Sequence, residues 1–198
     1  MRNLNERNTA RYSIAIIGVI GAVLICSPPA RMRLQQALTD AQRTQAARDT
    51  VGNFKLQNVA GGFMTNDDLK GKVAVVDLWA TWCTPCVQEI PIYNQLYDAF
   101  RGQDVAIVGI AVDSPRRDIP SKVRQLGIKY PVLTANDAAG QAFGRIQGFP
   151  TTVVISKKGK IYKRYMGTVP HKKERIKQDI EHLLAEDPPP QKITSRSG

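Results

Sequence analysis

Apolar runs alternate with amphipathic segments along most of the chain, which is the order of an α/β domain. Residues 73–79 (VAVVDLW) and 105–112 (VAIVGIAV) are almost wholly apolar and rich in β-branched residues. Such runs indicate strands that are covered on both faces of a sheet. Between them, apolar residues recur at the spacing of one helix face: Val87, Ile90, Leu96 and Phe100. We therefore predict a strand, a helix and a second strand parallel to the first.

Two hairpins are expected, one at each end of the domain. Residues 54–59 alternate apolar and polar positions and are followed by a glycine pair, which predicts an N-terminal hairpin. Residues 151–155 and 161–166 form a second pair of strands, with Gly159 in the turn between them. A final helix is predicted by an apolar stripe: Ile176, Ile180, Leu183 and Leu184.

An inserted helix and strand separate the second buried strand from the second hairpin. Pro120 stands near the start of this short helix and Gly127 at its end, and residues 131–134 form the strand. Asp137 is expected to cap a further short helix. Together these elements predict a three-layer α/β domain over residues 51–186, with a mixed central sheet.

The N-terminal region precedes this domain and has a different character. Residues 12–30 contain an apolar core that follows the basic residues 1–11, which is the form of a membrane anchor or an export signal. An uncleaved anchor is favoured, because Ile25 and Pro28 stand where lipidation or cleavage requires a small residue. Residues 1–11 then form a short N-terminus before the membrane segment.

Two further segments are expected to lack a core of their own. Residues 31–50 are rich in Ala, Gln and Arg, and Leu34 and Leu38 give only a thin apolar stripe, so we predict a partly helical stalk. Residues 187–198 begin with Asp-Pro-Pro-Pro, which ends any helix, and continue as a polar, flexible tail.

Positive charge dominates the composition without forming a recognisable binding surface. The net charge is +11, from 28 Lys and Arg against 17 Asp and Glu. The positive residues fall in short clusters that we interpret as solvated surface: Arg116-Arg117, Lys157-Lys158 and Lys172-Lys173. No aromatic residues of the kind that stack on bases lie between them, so no nucleic-acid partner is expected.

Cys83 and Cys86 carry the candidate chemistry. They follow the first buried strand and stand at the head of the predicted helix. The unpaired N–H groups of a helix start favour a thiolate at Cys83, and Cys86 lies one turn further on, within reach of a disulfide. A structural zinc site would need four ligands, and the chain offers only Cys26, His171 and His182 besides this pair. Reversible dithiol chemistry is therefore favoured, and no metal is expected.

The sequence WATWCTPC at residues 79–86, with Glu89 and Pro91 behind it and GFPTT at residues 148–152, resembles the thioredoxin superfamily. Within it, the chain is similar to membrane-tethered thiol-disulfide oxidoreductases of the TlpA and ResA type over about residues 54–184. The resemblance implies a thioredoxin-like fold and a redox-active Cys83–Cys86 disulfide without another cofactor.

The same resemblance implies partners and a location. The expected partners are disulfide-containing protein substrates, such as apocytochrome c or copper-site thiols, and a membrane electron donor that restores the dithiol. The N-terminal segment would hold the catalytic domain on the periplasmic side of a bacterial inner membrane. Cleavage of that segment would instead give a secreted protein.

Two acidic residues are predicted to assist the dithiol. Asp77 is a carboxylate inside an otherwise apolar strand, so its pKa should be raised or it should have a partner. It stands six residues before Cys83, where thioredoxin has its buried acid. Glu89 follows Cys86 by three residues and shares its helix face. The alternatives are an outward-pointing strand residue and a solvated helix residue.

Three residues are expected to contact the substrate. By the resemblance, Pro150 is a cis proline that packs against the dithiol, and the backbone of Phe149 pairs with the substrate as an added strand. Trp82 is interpreted as a contact surface beside the disulfide, with core packing as its alternative.

Reduction of protein disulfides is the favoured function, and three alternatives compete with it. A thiol oxidase or isomerase would use the same residues. A peroxidase is disfavoured, because Ala80 stands where its Thr is needed. A copper-binding chaperone on the same fold would need a CxxxC spacing and a third ligand, for which His171 is the only conceivable candidate.

Overall fold

The structure is a computed structural model that describes residues 31–40, 49–144 and 146–186. Two compact units divide the chain between residues 47 and 48. The first is described only over residues 31–40, which are helical and exposed, in agreement with the helical part of the predicted stalk. Among the described residues no helix is long and apolar enough to cross a membrane. The predicted N-terminus, membrane segment and tail (residues 1–11, 12–30 and 187–198) lie outside the described residues.

The second unit contains seven strands, four α-helices and one short 3-10 helix among its described residues. The strands are β1 (Lys55–Asn58), β2 (Phe63–Thr65), β3 (Val73–Trp79), β4 (Val105–Ala111), β5 (Val132–Thr134), β6 (Thr151–Ile155) and β7 (Ile161–Met166). The helices are α1 (Thr84–Ala99), α2 (Ile119–Gln125), α3 (Asp137–Ala142) and α4 (Lys172–Glu186), and the 3-10 helix is Asn66–Leu69.

The strands form one mixed sheet in the order β2-β1-β5-β4-β3-β6-β7. β3 pairs parallel with β4 and antiparallel with β6, so it lies inside the sheet. The predicted parallel pair, both hairpins and the inserted helix and strand are therefore confirmed. All seven residues of β3 are buried, as the apolar run predicted.

Helices cover both faces of the sheet. Alternate residues of β3 point to opposite faces. Val75 and Trp79 belong to the core cluster that includes residues of α1, α2 and α4. Val76 and Leu78 belong to the second cluster, with residues of α3 and β1. Each large apolar side chain so buried contributes roughly 1.5–3 kcal/mol to folding. The two filled faces fix β3, and with it the position where α1 begins.

Two details of the helices differ from the sequence prediction. Asp137 was expected to cap α3, but Asn136 is the N-cap residue and Asp137 begins the helix, because the extended backbone continues one residue less far than the pattern suggested. On α1, Tyr93 is fully buried whereas Val87 is only partly buried. The buried face of α1 is therefore more polar than its apolar spacing predicted.

Candidate active site around Cys83 and Cys86

The sheet delivers Cys83 to the first position of a helix. The chain leaves β3 at Trp79, and Cys83 is the N-cap of α1 with an extended backbone (φ −83°, ψ 98°). Its Sγ accepts a hydrogen bond from the backbone N–H of Cys86 at 3.3 Å. Pro85 lies in the first turn and supplies no N–H. A helix start concentrates unpaired N–H groups, so it favours negative charge on the Cys83 sulfur.

Cys83 and Cys86 form a disulfide with a Cα–Cα distance of 5.3 Å. Both cysteines are almost fully buried, but they differ in whether they face the surface groove. Cys83 is 4% exposed and lines a surface groove of about 630 Å³, whereas Cys86 is 1% exposed and lies one turn into α1. An incoming sulfur in this groove therefore meets Cys83 first.

Aromatic side chains form the wall of this groove. Trp82 is 60% exposed, and its ring packs edge-on against Phe149 with 5.8 Å between the ring centroids. The indole N–H of Trp82 donates to the carbonyl oxygen of Asp113 at 2.8 Å, which fixes the ring orientation. The core-packing alternative for Trp82 is therefore wrong, and its exposed face is available for contact with another molecule.

The loop before β6 also lines the groove. The Phe149–Pro150 peptide bond is cis, as the resemblance implied. Pro150 is buried, and its carbonyl oxygen accepts a hydrogen bond from the N–H of Gly167 at 2.8 Å. The loop that carries Phe149 is thus attached to the segment that follows β7.

Asp77 is a buried residue of the central strand β3. It is 1% exposed, so the outward-pointing alternative is wrong. The pKa of Asp77 is raised to about 8, first by burial and second by the charge of Glu89, while the charge of Lys172 opposes both effects. A carboxyl with this pKa is largely protonated at neutral pH.

A tyrosine provides the hydrogen bond that Asp77 receives. The hydroxyl of Tyr130 donates to Oδ2 of Asp77 at 3.4 Å, while Oδ1 has no partner within the described part of the chain. Gly109 of β4 lies opposite Asp77 in the sheet, and a Cβ at that position would come within 2.9 Å of the Tyr130 ring. The missing side chain at Gly109 therefore leaves the space through which Tyr130 reaches the acid.

Glu89 is buried and paired rather than solvated. It is 5% exposed, and its Oε2 accepts a hydrogen bond from Nζ of Lys172 at 2.6 Å. The hydroxyl of Tyr93 lies 3.4 Å from the same oxygen and 2.7 Å from Oγ1 of Thr152. Burial, followed by the charges of Asp77 and Glu89, raises the pKa of Tyr93 well above its usual value, so this hydroxyl stays protonated.

Lys172, Tyr93 and Tyr130 are site residues that the sequence pattern did not indicate. The interpretation of Lys172 as a solvated lysine is wrong, because it is 2% exposed. A signal was available, because Lys172 stands four residues before Ile176 and eight before Ile180, on the buried face of α4. Its neighbour Lys173 faces solvent, as predicted.

The two histidines lie on the surface. His171 is exposed and immediately precedes α4 with a positive φ of 54°, and His182 is an exposed residue of α4 that pairs with Glu186 at 3.3 Å. Within the described residues, no group of three or more His, Cys, Asp or Glu side chains is placed to hold a metal ion. Cys26 lies outside the described residues.

Known proteins resemble this chain in sequence and in fold. Residues 47–164 match the AhpC/TSA family. The thiol-disulfide oxidoreductase ResA of Geobacillus thermodenitrificans is 33% identical over 139 residues, which are 70% of this chain and 78% of that protein. ResA of Bacillus cereus is 29% identical over 178 residues, covering 89% of this chain and 94% of that protein.

A solved structure extends the comparison to three dimensions. A thiol:disulfide interchange protein of the thioredoxin family from Chlorobium tepidum superimposes with a TM-score of 0.62 and 31% identity, covering 68% of this chain and 95% of that chain. The chain belongs to the AhpC/TSA family, and within it to the thioredoxin-like thiol-disulfide oxidoreductases of the ResA type.

Proposed function

We propose that the protein reduces disulfide bonds in other proteins, with Cys83 as the nucleophile and Cys86 as the resolving thiol. One observation carries this assignment of roles: Cys83 stands at the helix start and lines the groove, while Cys86 is buried one turn behind it. Trp82 and Phe149 provide the apolar contact surface for a polypeptide in the groove.

The reaction transfers two electrons in two exchanges. The Cys83 thiolate attacks a substrate disulfide, a mixed disulfide forms, and the first substrate sulfur leaves as a thiolate that takes a proton from water. The second exchange starts with Asp77 ionised and Cys86 protonated. Asp77 accepts the proton of Cys86, and the Cys86 thiolate attacks the Cys83 sulfur. The Cys83–Cys86 disulfide forms, the second substrate sulfur leaves as a thiolate that takes a proton from water, and Asp77 ends protonated, which is its state in the oxidised protein. When the electron donor reduces the disulfide, Asp77 returns this proton to the Cys86 sulfur.

The proposed setting is the outer side of a bacterial cytoplasmic membrane. It is supported by the apolar segment at residues 12–30 and by the resemblance to tethered oxidoreductases. Apocytochrome c or copper-site cysteines are the proposed substrates, and a membrane thiol carrier is the proposed electron donor. If the N-terminal segment is cleaved, the same domain acts as a secreted protein.

Electrostatics around the disulfide bears on the direction of exchange. Two ionised carboxylates beside the cysteines would oppose a thiolate, but Asp77 is largely protonated and Glu89 is paired with Lys172. The stability of the thiolate therefore depends mainly on the burial of both sulfurs, because a charged sulfur is disfavoured in a poorly solvated site. A weakly stabilised reduced form is typical of a reductase.

The reduction potential tests this direction. We expect a value nearer the about −270 mV of thioredoxin than the about −120 mV of the strongest oxidases, because the thiolate of Cys83 receives one hydrogen bond from the described residues and Pro85 supplies none. The full chain would be equilibrated in dithiothreitol and glutathione buffers and its free thiols counted by alkylation. A potential near −120 mV, that is about that of such an oxidase, would replace the reductase by an oxidase.

A substitution of Trp82 tests the contact surface. Trp82→Ala should raise KM for a protein disulfide roughly 10-fold, since a central exposed aromatic commonly contributes 1–2 kcal/mol or more to binding. It should change kcat/KM for glutathione disulfide little, because that substrate is too small to cover the Trp82–Phe149 surface. Phe63→Ala is the matched control, as Phe63 is 64% exposed and lies on the edge strand β2. Equal losses with both substrates would show that Trp82 acts on the cysteines instead.

A further inference from the structure

Lys172 is a buried cation that bridges two parts of the active site. Its side chain is 1% exposed, and its Nζ donates to Oε2 of Glu89 at 2.6 Å and to the carbonyl oxygen of Gly167 at 3.0 Å. A buried ammonium is costly unless it is paired and hydrogen-bonded, and these two contacts meet that need. Neither the chemistry proposed above nor the similarity to known proteins assigns this residue a role.

Two carboxyls share the site, but only one of them contacts the cation. Glu89 has the ammonium of Lys172 within hydrogen-bond distance, whereas the hydrogen-bond partners of Asp77 among the described residues are the neutral hydroxyls of Tyr130, at 3.4 Å, and Tyr93. Two carboxylates near each other in a poorly solvated site do not both ionise readily, so one keeps a proton. The position of the cation decides which one it is.

We propose that Lys172 is a positioning residue that holds Glu89 ionised, so that Asp77 rather than Glu89 carries the proton exchanged with Cys86. The inference rests on the proposed function only in naming Cys86 as the group that exchanges a proton with Asp77. The distribution of charge between the two acids is a property of the oxidised protein without substrate. The titratable groups around the two acids come from four parts of the fold. Asp77 belongs to β3, Glu89 and Tyr93 to α1, Tyr130 to the segment before β5, and Lys172 to α4.

The same ammonium also ties the acids to the groove. Gly167, whose carbonyl accepts from Lys172, donates its N–H to the carbonyl of Pro150 at 2.8 Å. One cation thus holds the Glu89 carboxylate behind the dithiol and, through a single residue, the loop that carries Phe149. Loss of Lys172 should therefore affect both the charge of the site and the position of that loop.

Carboxyl titration provides the test. The ¹³C shifts of the Asp and Glu carboxyls would be followed by NMR in the oxidised full chain between about pH 5 and pH 9. In the unmodified protein we expect Asp77 to titrate within this range. In Lys172→Met the titration midpoint of Asp77 should fall, because without the cation the proton is no longer confined to Asp77. The matched control is Lys173→Met, which removes a neighbouring lysine and should leave the Asp77 curve unchanged.

Each outcome decides the assignment. A folded Lys172→Met protein in which the midpoint of Asp77 stays the same or rises overturns it, because a rise is what loss of a nearby positive charge alone would produce. If Lys172→Met does not fold, the double variant Glu89→Gln/Lys172→Met decides, because it removes the uncompensated charge. Recovered folding supports the inference, and a double variant no better folded overturns it.

The titration is independent of catalysis. It is recorded without substrate, so loss of disulfide exchange in every variant would overturn the proposed function without changing the result for Lys172. A functional readout then links the two: the pH at which the mixed disulfide is resolved at half-maximal rate should move in Lys172→Met and stay fixed in Lys173→Met. An unmoved pH profile in a variant with altered titration would overturn the role of Lys172 in the exchange.

Discussion

Replacing Cys83 by Ser is expected to abolish disulfide exchange, whereas replacing Cys86 by Ser should trap covalent complexes with substrate. The difference follows from the positions of the two sulfurs. Cys83 lines the groove at the start of α1, so without it no nucleophile faces the substrate. Cys86 is 1% exposed and reaches only the Cys83 sulfur, so without it the first exchange proceeds and the second cannot.

Trapping and alkylation measure the two halves of this prediction. Both variants would be made in a Cys26→Ser background, which removes the third cysteine of the chain and serves as the active control. Mixed disulfides with substrate should accumulate in Cys86→Ser and be absent from Cys83→Ser. Alkylation of the reduced control at neutral pH should label Cys83 first. Faster labelling of Cys86 would reverse the two roles.

Much of the fold could be predicted because strand patterns depend on local sequence. β3 extends over residues 73–79, as its apolar run indicated, since a strand covered on both faces needs apolar residues at nearly every position. The residues at which helices begin could be predicted less accurately. The choice between Asn136 and Asp137 as the cap of α3 depends on where the preceding extended backbone ends, and both residue types cap helices well.

The active site was predicted only where its residues lie near the cysteines in sequence. Asp77 and Glu89 were found because each is anomalous or well spaced beside the CxxC motif. Lys172 contacts Glu89 from 83 residues away, and only the packing of α4 against α1 brings the two together. A lysine next to another lysine and a histidine reads as surface, so sequence spacing alone gave a solvated residue where the fold places a buried ion pair.

Asp77→Asn is expected to change how the stability of the oxidised protein depends on pH. The folded pKa of Asp77 is about 8, against an ordinary value of 3.8. Below pH 3.8 the carboxyl is protonated in both the folded and the unfolded chain. Between the two values the unfolded chain releases the proton and the folded protein keeps it, so rising pH favours unfolding. The stability that the neutral acid contributes is therefore fully present below the lower value and lost as pH rises through about 8.

Asparagine has nearly the same shape and does not titrate, so the variant should lack this loss. Between the ordinary pKa and pH 7, a span of about three pH units, the unmodified protein loses about 1.4 kcal/mol of stability per unit. At pH 7 Asp77→Asn should therefore be more stable than the unmodified protein by an amount on the order of 4 kcal/mol. The gain should shrink towards zero near pH 4, that is about the ordinary value for an Asp.

Urea unfolding of the oxidised full chain at several pH values measures the difference. Asp67→Asn is the control, because Asp67 forms an exposed surface pair with Lys70 that contributes little to stability. A gain that is the same at pH 5 and pH 7.5, values that span about two and a half units of the expected slope, would mean that Asp77 is ionised in the folded, oxidised protein. It would then hold no proton to return to Cys86 when the disulfide is reduced.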